Sequence, residues 1–182
     1  DTLNILDGYN IIMGPYEISP TRIPAIGKFE IQFRVSDKSL LKHSRIYKLS
    51  GKKDRWNYID TETVNNQILK SFINQGGYYA VIHENEPPNL KNIKPYFNTK
   101  YYSKDLKTIT FNVNDEISGI DGEKNIVLKL NNNPVIFEFN SYQKKVLYQL
   151  ENQLTIGTHS LEIIATDNAN NIIKKEGMFT IK

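Results

Sequence analysis

The chain has no cysteine, which removes disulfides, thiol catalysis, thiolate metal centres and dithiol redox chemistry together. It also lacks any apolar run near the ~20 residues that a membrane-spanning helix requires. Histidine occurs only three times, as His43, His83 and His159, each isolated in its segment and none within an HxH or HExxH spacing. There is no GxSxG elbow and no phosphate-cradling glycine loop. Asn-x-Ser/Thr acceptors are absent despite abundant asparagine, which fits an AT-rich bacterial source better than a eukaryotic secretory one. No signal peptide is recognisable and the chain starts at Asp1, so we expect a piece of a longer protein. The lysine doublets (Lys52-Lys53, Lys144-Lys145, Lys174-Lys175) stand near turn signals without interleaved aromatics, which argues against nucleic acid as a partner.

What is present is β-forming. Of the 182 residues, 39% are hydrophobic and 24% charged, enough apolar material to fill a core in a water-exposed protein. Residues 28–35 alternate cleanly, with Phe29, Ile31, Phe33 and Val35 on one face and Lys28, Glu30, Gln32 and Arg34 on the other. Period two with that contrast predicts a half-buried strand. Pro15, Pro20 and Pro24 exclude helix nearby and confine their segments to edges and loops. A short apolar pair or one bent edge strand is expected around Asp7-Gly8, and 36–43 is expected to form a loop or one helical turn. Strands are expected at 44–49 and 55–59 around a turn at 50–54, and at 67–73 and 78–83 as a further hairpin. Trp56 reads as a core aromatic facing the opposite sheet with its N–H satisfied locally; the alternative is a sugar-stacking platform.

Beyond Pro87-Pro88 the alternation resumes. Ile109, Phe111 and Val113 form one inward set, Ile126, Leu128 and Leu130 a second, and Leu161, Ile163 and Ala165 a third. Turns are expected at 115–124, 131–134 and 168–171, a strand at 135–140, and a bulge at Gly177. The fold class that follows is all-β. Two tandem β-sandwiches are expected, at 1–84 and 85–182, with about seven short strands at turn-punctuated spacing arguing the first.

Residues Met13-Gly14-Pro15, then Tyr47 through Trp56, then Gly77-Tyr78-Tyr79-Ala80-Val81 resemble a recurrent module of exported bacterial proteins. The second half is more specific. Val113-Asn114-Asp115, Ser118-Gly119-Ile120-Asp121, Gly157-Thr158-His159 and Ala165-Thr166-Asp167-Asn168-Ala169-Asn170 resemble, in order, the bacterial immunoglobulin-like module, itself fibronectin-III-like in architecture. The likeness covers 85–182 and departs from the pattern at Asn170, where the family carries Gly. Asn tolerates the left-handed backbone, so the turn is expected to survive.

Such module pairs stand behind lysostaphin-type zinc endopeptidases and in other envelope proteins. The resemblance therefore implies a non-catalytic C-terminal pair that spaces or positions a partner domain at the cell envelope. It also implies an exported location, in the periplasm, at the cell surface or outside the cell. Any catalytic domain would precede Asp1, and the upstream domains of the same chain would be the partners.

Two alternatives stay open: a glycan- or peptidoglycan-binding module, and an accessory domain packed on an upstream metallopeptidase. For the first, Tyr96, Phe97, Tyr101 and Tyr102 are the candidate stacking aromatics; they equally suit the covering of a sandwich edge. No resident cofactor is expected unless it is calcium. The immunoglobulin-like topology brings the loop carrying Asp115, Glu116 and Asp121 to the same end as Asp167, a set of oxygens suited to that ion. The same residues equally suit turn capping. The loop is not an EF-hand, because aligning Asn112 as its first position puts Ile117 where the sharp turn needs Gly.

Overall fold

The structure is a computed structural model and describes residues 8–21, 24–51 and 55–182. It divides into two compact units, Asp1–Asn85 and Glu86–Lys182. Each is a β-sandwich, and each is described by itself.

The first unit packs two antiparallel sheets. One contains β1 (Ile11–Ile18), β7 (Gly77–His83), β3 (Ser44–Ser50) and β4 (Arg55–Tyr58), in that spatial order. The other contains β2 (Pro24–Arg34), β6 (Ile68–Gln75) and β5 (Glu62–Val64). The two strands that carry proline, β1 with Pro15 and β2 with Pro24, both lie at sheet edges, where a missing N–H costs no ladder bond. Ile31, Phe33, Val35, Ile46, Leu69, Ile73, Tyr79 and Val81 form the core, with Phe29 packed against it. Between β2 and β3, α1 (Lys38–Leu41) is a single turn whose Asp37 side chain accepts from the Ser39 N–H at 2.9 Å.

Three expectations for this unit change. Strands β6 and β7 do not pair with one another; β6 bonds to β2 and β5, whereas β7 bonds to β1 and β3. The link between them crosses from one sheet to the other at Gly76. Its backbone lies so close to the carbonyls of Ile18 and Pro20 that a Cβ would sit 2.3 Å from each oxygen. Trp56 is buried, but the register sets it on the face of Arg45 and Tyr47, away from the Ile46 and Val81 core. Its indole N–H has no hydrogen-bond partner among the described residues. The expected pairing before Gly8 and residues 52–54 of the turn expected at 50–54 lie outside the described residues, while Ser50 pairs with Arg55 as the hairpin requires.

The burial of Tyr47, Ala80 and Ile82 on that second face explains the near-continuous apolar run in β7. A strand covered on both sides has no polar face to show in its sequence.

The second unit also has two sheets. One orders β13 (Glu138–Asn140), β14 (Lys145–Gln149), β10 (Thr108–Asn114) and β8 (Asn89–Lys94). The other orders β12 (Asn133–Pro134), β11 (Ile126–Leu130), β15 (Gly157–Thr166), β16 (Ile172–Ile181) and β9 (Lys100–Tyr101). All pairs are antiparallel except β16 with β9. The three inward sets meet between the sheets: Ile109, Val113, Ile163 and Ala165 have no exposed surface, and Phe111, Leu128 and Leu161 are 1% exposed. Each such side chain contributes about 1.5–3 kcal/mol relative to an exposed position.

The strand expected at 135–140 is shorter, because the chain changes sheets there. Asn133 and Pro134 pair with β11, and only Glu138–Asn140 reaches β14.

Asparagine makes the left-handed turns. Among the described residues, seven of the eight non-glycine residues with positive φ are Asn. Asn131 and Asn132, at φ 53° and 66°, form the two-residue connection between Leu130 and Asn133, the geometry in which twisted hairpins favour Asn or Gly. Asn170, at φ 66°, occupies its turn as expected.

Gly177 does not mark a bulge. Strands β15 and β16 keep unbroken register from Gly157 opposite Ile181 to Thr166 opposite Ile172. Gly177 instead leaves the space that Phe97 fills, since a Cβ there would lie 2.3 Å from the ring's Cγ. Gly177→Ala is therefore expected to lose about 1–3 kcal/mol through forced displacement of the ring. Gly51→Ala, which meets nothing within 4 Å, is expected to change little. Urea unfolding of both variants checks the contrast.

Candidate functional site

The loop end of the second unit joins the β10–β11 connection, residues 115–125, to the β15–β16 hairpin, residues 167–171. Asp115 sits half-buried just after β10, and its Oδ1 accepts from the Gly119 N–H at 2.6 Å and from the Ser118 hydroxyl at 3.3 Å. That closes the SGID stretch into a compact turn. From the other side, Asn168 donates its Nδ2 to the Ser118 carbonyl at 3.0 Å and its N–H to the Gly119 carbonyl at 3.0 Å. Asn125 adds a third tie, from Nδ2 to the Thr166 carbonyl at 3.0 Å.

Asp167 is 1% exposed and organises the hairpin. Its Oδ1 accepts from the Asn171 N–H at 2.8 Å, and its Oδ2 from the Asn171 side-chain amide at 2.9 Å. Burial pushes its carboxyl above the ordinary value; the hydrogen bonds from Asn171 pull it back, and the negative charge of Asp115 raises it further. Asp115 and Asp167 thus come near enough to repel. The other two acidic candidates stand apart: Glu116 is exposed, and Asp121 is exposed and ion-paired to Lys124.

The aromatic candidates separate into two pairs. Phe97 fills the Gly177 slot, and Tyr101 stands edge-on to Phe179 at 6.3 Å, with its hydroxyl accepting from the Tyr96 N–H at 2.8 Å. Tyr96 and Tyr102 are exposed. Lys94 Nζ lies 6.0 Å from the Tyr96 ring and Lys182 Nζ 4.5 Å from that of Tyr102.

Sequence reasoning missed one constellation. Ser44, His83 and Asp37 collect at one end of the first unit, the residue types of a nucleophile relay. Their wiring is different. Ser44 Oγ donates to the Leu40 carbonyl at 2.7 Å, and His83 Nδ1 lies 3.0 Å from the same oxygen and 3.1 Å from Ser44 Oγ. A carbonyl only accepts, so the serine proton is committed to Leu40 and His83 Nδ1 supplies its own proton. No base faces the hydroxyl through this nitrogen. Asp37 is turned to Ser39, whose hydrogen bonds hold its carboxyl below the usual range.

His159 is likewise tied into structure and buried. Its Nε2–H donates to the Thr155 carbonyl at 2.8 Å, Nδ1 accepts from the Asn131 amide at 2.9 Å, and the ring stacks on Phe179 at 5.6 Å.

Among the described residues no helix is long and apolar enough to cross a membrane. No protein-family model matches the chain, and no curated protein matches it. Among solved structures it is similar to fibronectin(III)-like modules of Clostridium thermocellum CbhA, with 14% identity over 92% of this chain and 93% of that one, at a TM-score of 0.37. It is also similar to CopC from Methylosinus trichosporium OB3b, with 10% identity over 52% of this chain and 93% of that one, at 0.40. Dimeric latent PorU from Porphyromonas gingivalis matches 85% of this chain with 12% identity at 0.38, and this match spans 20% of PorU's length. Likeness at this level carries no argument about function.

The buried pair sets a pH signature. Because the Asp167 carboxyl is raised when folded, its contribution to stability is full below the ordinary value of 3.8 and is lost as pH rises through the higher folded value. Carbon NMR of the side-chain carboxyls is expected to show Asp167 titrating above that value. Asp115→Asn, which removes the neighbouring charge, is expected to lower it; an unchanged midpoint would mean the two carboxylates do not interact.

Proposed function

We propose that the chain is a non-catalytic pair of immunoglobulin-like modules that positions a partner domain of a larger exported bacterial protein at the cell envelope. The observation that supports this most is how the chemistry-bearing side chains are used. Ser44, His83, Asp37 and His159 are committed to backbone or structural partners within their own units. Asp115 and Asp167 are likewise spent on donors within their own loops, and Asn168 on joining the two loops. Fold likeness adds no activity to this reading. The full chain is expected to release no soluble fragments from insoluble peptidoglycan, read as new free amines or reducing ends. Release that survives repurification and is abolished by Ser44→Ala or His83→Ala would overturn the proposal.

Calcium at the loop end is a second reading, favoured by one feature: two carboxylates drawn together, one of them nearly without solvent. Asp115 and Asp167 would hold the ion, which would relieve their repulsion; the exposed Glu116 and the Lys124-paired Asp121 would not take part. On this reading calcium raises the unfolding midpoint in a saturable way that Asp167→Asn removes, since a ligand bound only by the folded state stabilises it. A midpoint indifferent to calcium and to chelator takes the ion out of the account.

A further inference from the structure

The outward face of the β2–β6–β5 sheet is polar by pattern. Lys28, Glu30, Gln32 and Arg34 present it from β2, Lys70 from β6 and Glu62 from β5. Phe72 breaks that pattern. It stands on β6 opposite Glu30, is 57% exposed, and belongs to the outward set that alternates with the buried Leu69, Ser71 and Ile73. A large apolar side chain left in water where the strand calls for a polar one is a departure of the sort found at functional positions.

The ring is also not on a flat surface. It lines a depression of about 200 Å³ together with Lys28, Asp60, Glu62, Lys70 and Ser71. Ser71 is already committed, its hydroxyl donating to the Asp60 carbonyl at 2.6 Å. Asp60, Glu62, Lys28 and Lys70 line the same depression as the ring, two acidic residues and two basic ones. Lys70 is anchored there by Glu62 at 3.0 Å and Glu30 at 3.8 Å, with its Nζ 5.7 Å from the Phe72 ring centre.

We propose that this depression is a binding site for one neutral saccharide ring. The volume falls below the ~300–1,000 Å³ of pockets that enclose drug-sized ligands, so it suits a single ring rather than a chain. The balanced charge disfavours both an anion and a cation, each of which would meet a like charge. A hydroxylated neutral ring fits both parts: its C–H face lies against the exposed aromatic, while its hydroxyls donate to Asp60 and Glu62 and accept from Lys28 and Lys70. The site is remote in sequence from the Tyr96 and Tyr102 candidates, and it does not depend on the positioning role proposed above.

The test is two-dimensional amide NMR of the full 182-residue chain, titrated with glucose and with N-acetylglucosamine. A glucose phosphate and glucosamine serve as charged comparators. Saturable shifts confined to residues 28–30, 60–62 and 70–72 are expected for at least one neutral sugar, with a Kd on the order of 1 mM, a typical value for few contacts. Phe72→Ala should abolish saturation while leaving the unfolding midpoint unchanged, because the ring is not part of the core; Glu62→Gln should weaken it several-fold. The proposal fails if no neutral sugar shifts these amides, if Phe72→Ala binds as well as the wild type, or if a charged comparator binds more tightly.

Discussion

The two hydrogen bonds from Asn168 to the carbonyls of Ser118 and Gly119 fix the loop end of the second unit. They join a connection of the two sheets to the hairpin of one, and the other interactions there follow from them. With Asn168 in place, Gly119 is presented to the Asp115 carboxylate, and the hairpin that carries Asn168 keeps Asp167 buried against the side chain of Asn171. Asp115 and Asp167 are brought together as a result. Their repulsion is thus a consequence of loop packing, and its cost is offset by the N–H donors each carboxylate collects.

The same economy recurs across the molecule. Polar side chains close turns, cap the one helical turn, or clamp strand ends, as His159 does between Thr155 and Asn131. Asparagine takes the place that glycine holds in most left-handed turns, at a smaller loss of conformational entropy in the unfolded chain. Glycine shares those left-handed positions and also stands where a Cβ has no room, at Gly76 against two carbonyls and at Gly177 under Phe97.

Much of the fold was legible because period-two alternation is a direct record of one buried face. Ile109, Phe111 and Val113, or Leu161, Ile163 and Ala165, could point inward in no other way. The legible part ended where burial was two-sided or where pairing was non-local. The apolar run of β7 does not say which sheet it joins, so a hairpin with β6 and a crossing to the other sheet look alike in the sequence. Trp56 was rightly expected to be buried, but its face depends on the register with Leu49, which the sequence does not contain. Gly177 was read as a bulge because its partner, Phe97, lies eighty positions away in the chain. At the loop end, of the four acidic residues that the topology brings to one end, Asp115 and Asp167 come near one another. The divergence of Glu116 and Asp121 from them is a matter of side-chain direction, set by Lys124 and by solvent. Phe72 left a trace in the sequence as an aromatic on the polar face of an alternating strand, visible only once the register of β6 is known.

The central claim is that the loop end is held by side chains bonding across it. Amide hydrogen exchange at Gly119, Asn168 and Asn171 in the intact chain tests it most directly, because each of these N–H groups is a donor in the clasp. The account predicts slowing comparable to that of the adjoining β15–β16 ladder, with protection at Gly119 and Asn168 lost in Asn168→Ala while the ladder stays protected. Exchange at free-loop rates in the wild-type protein would contradict it.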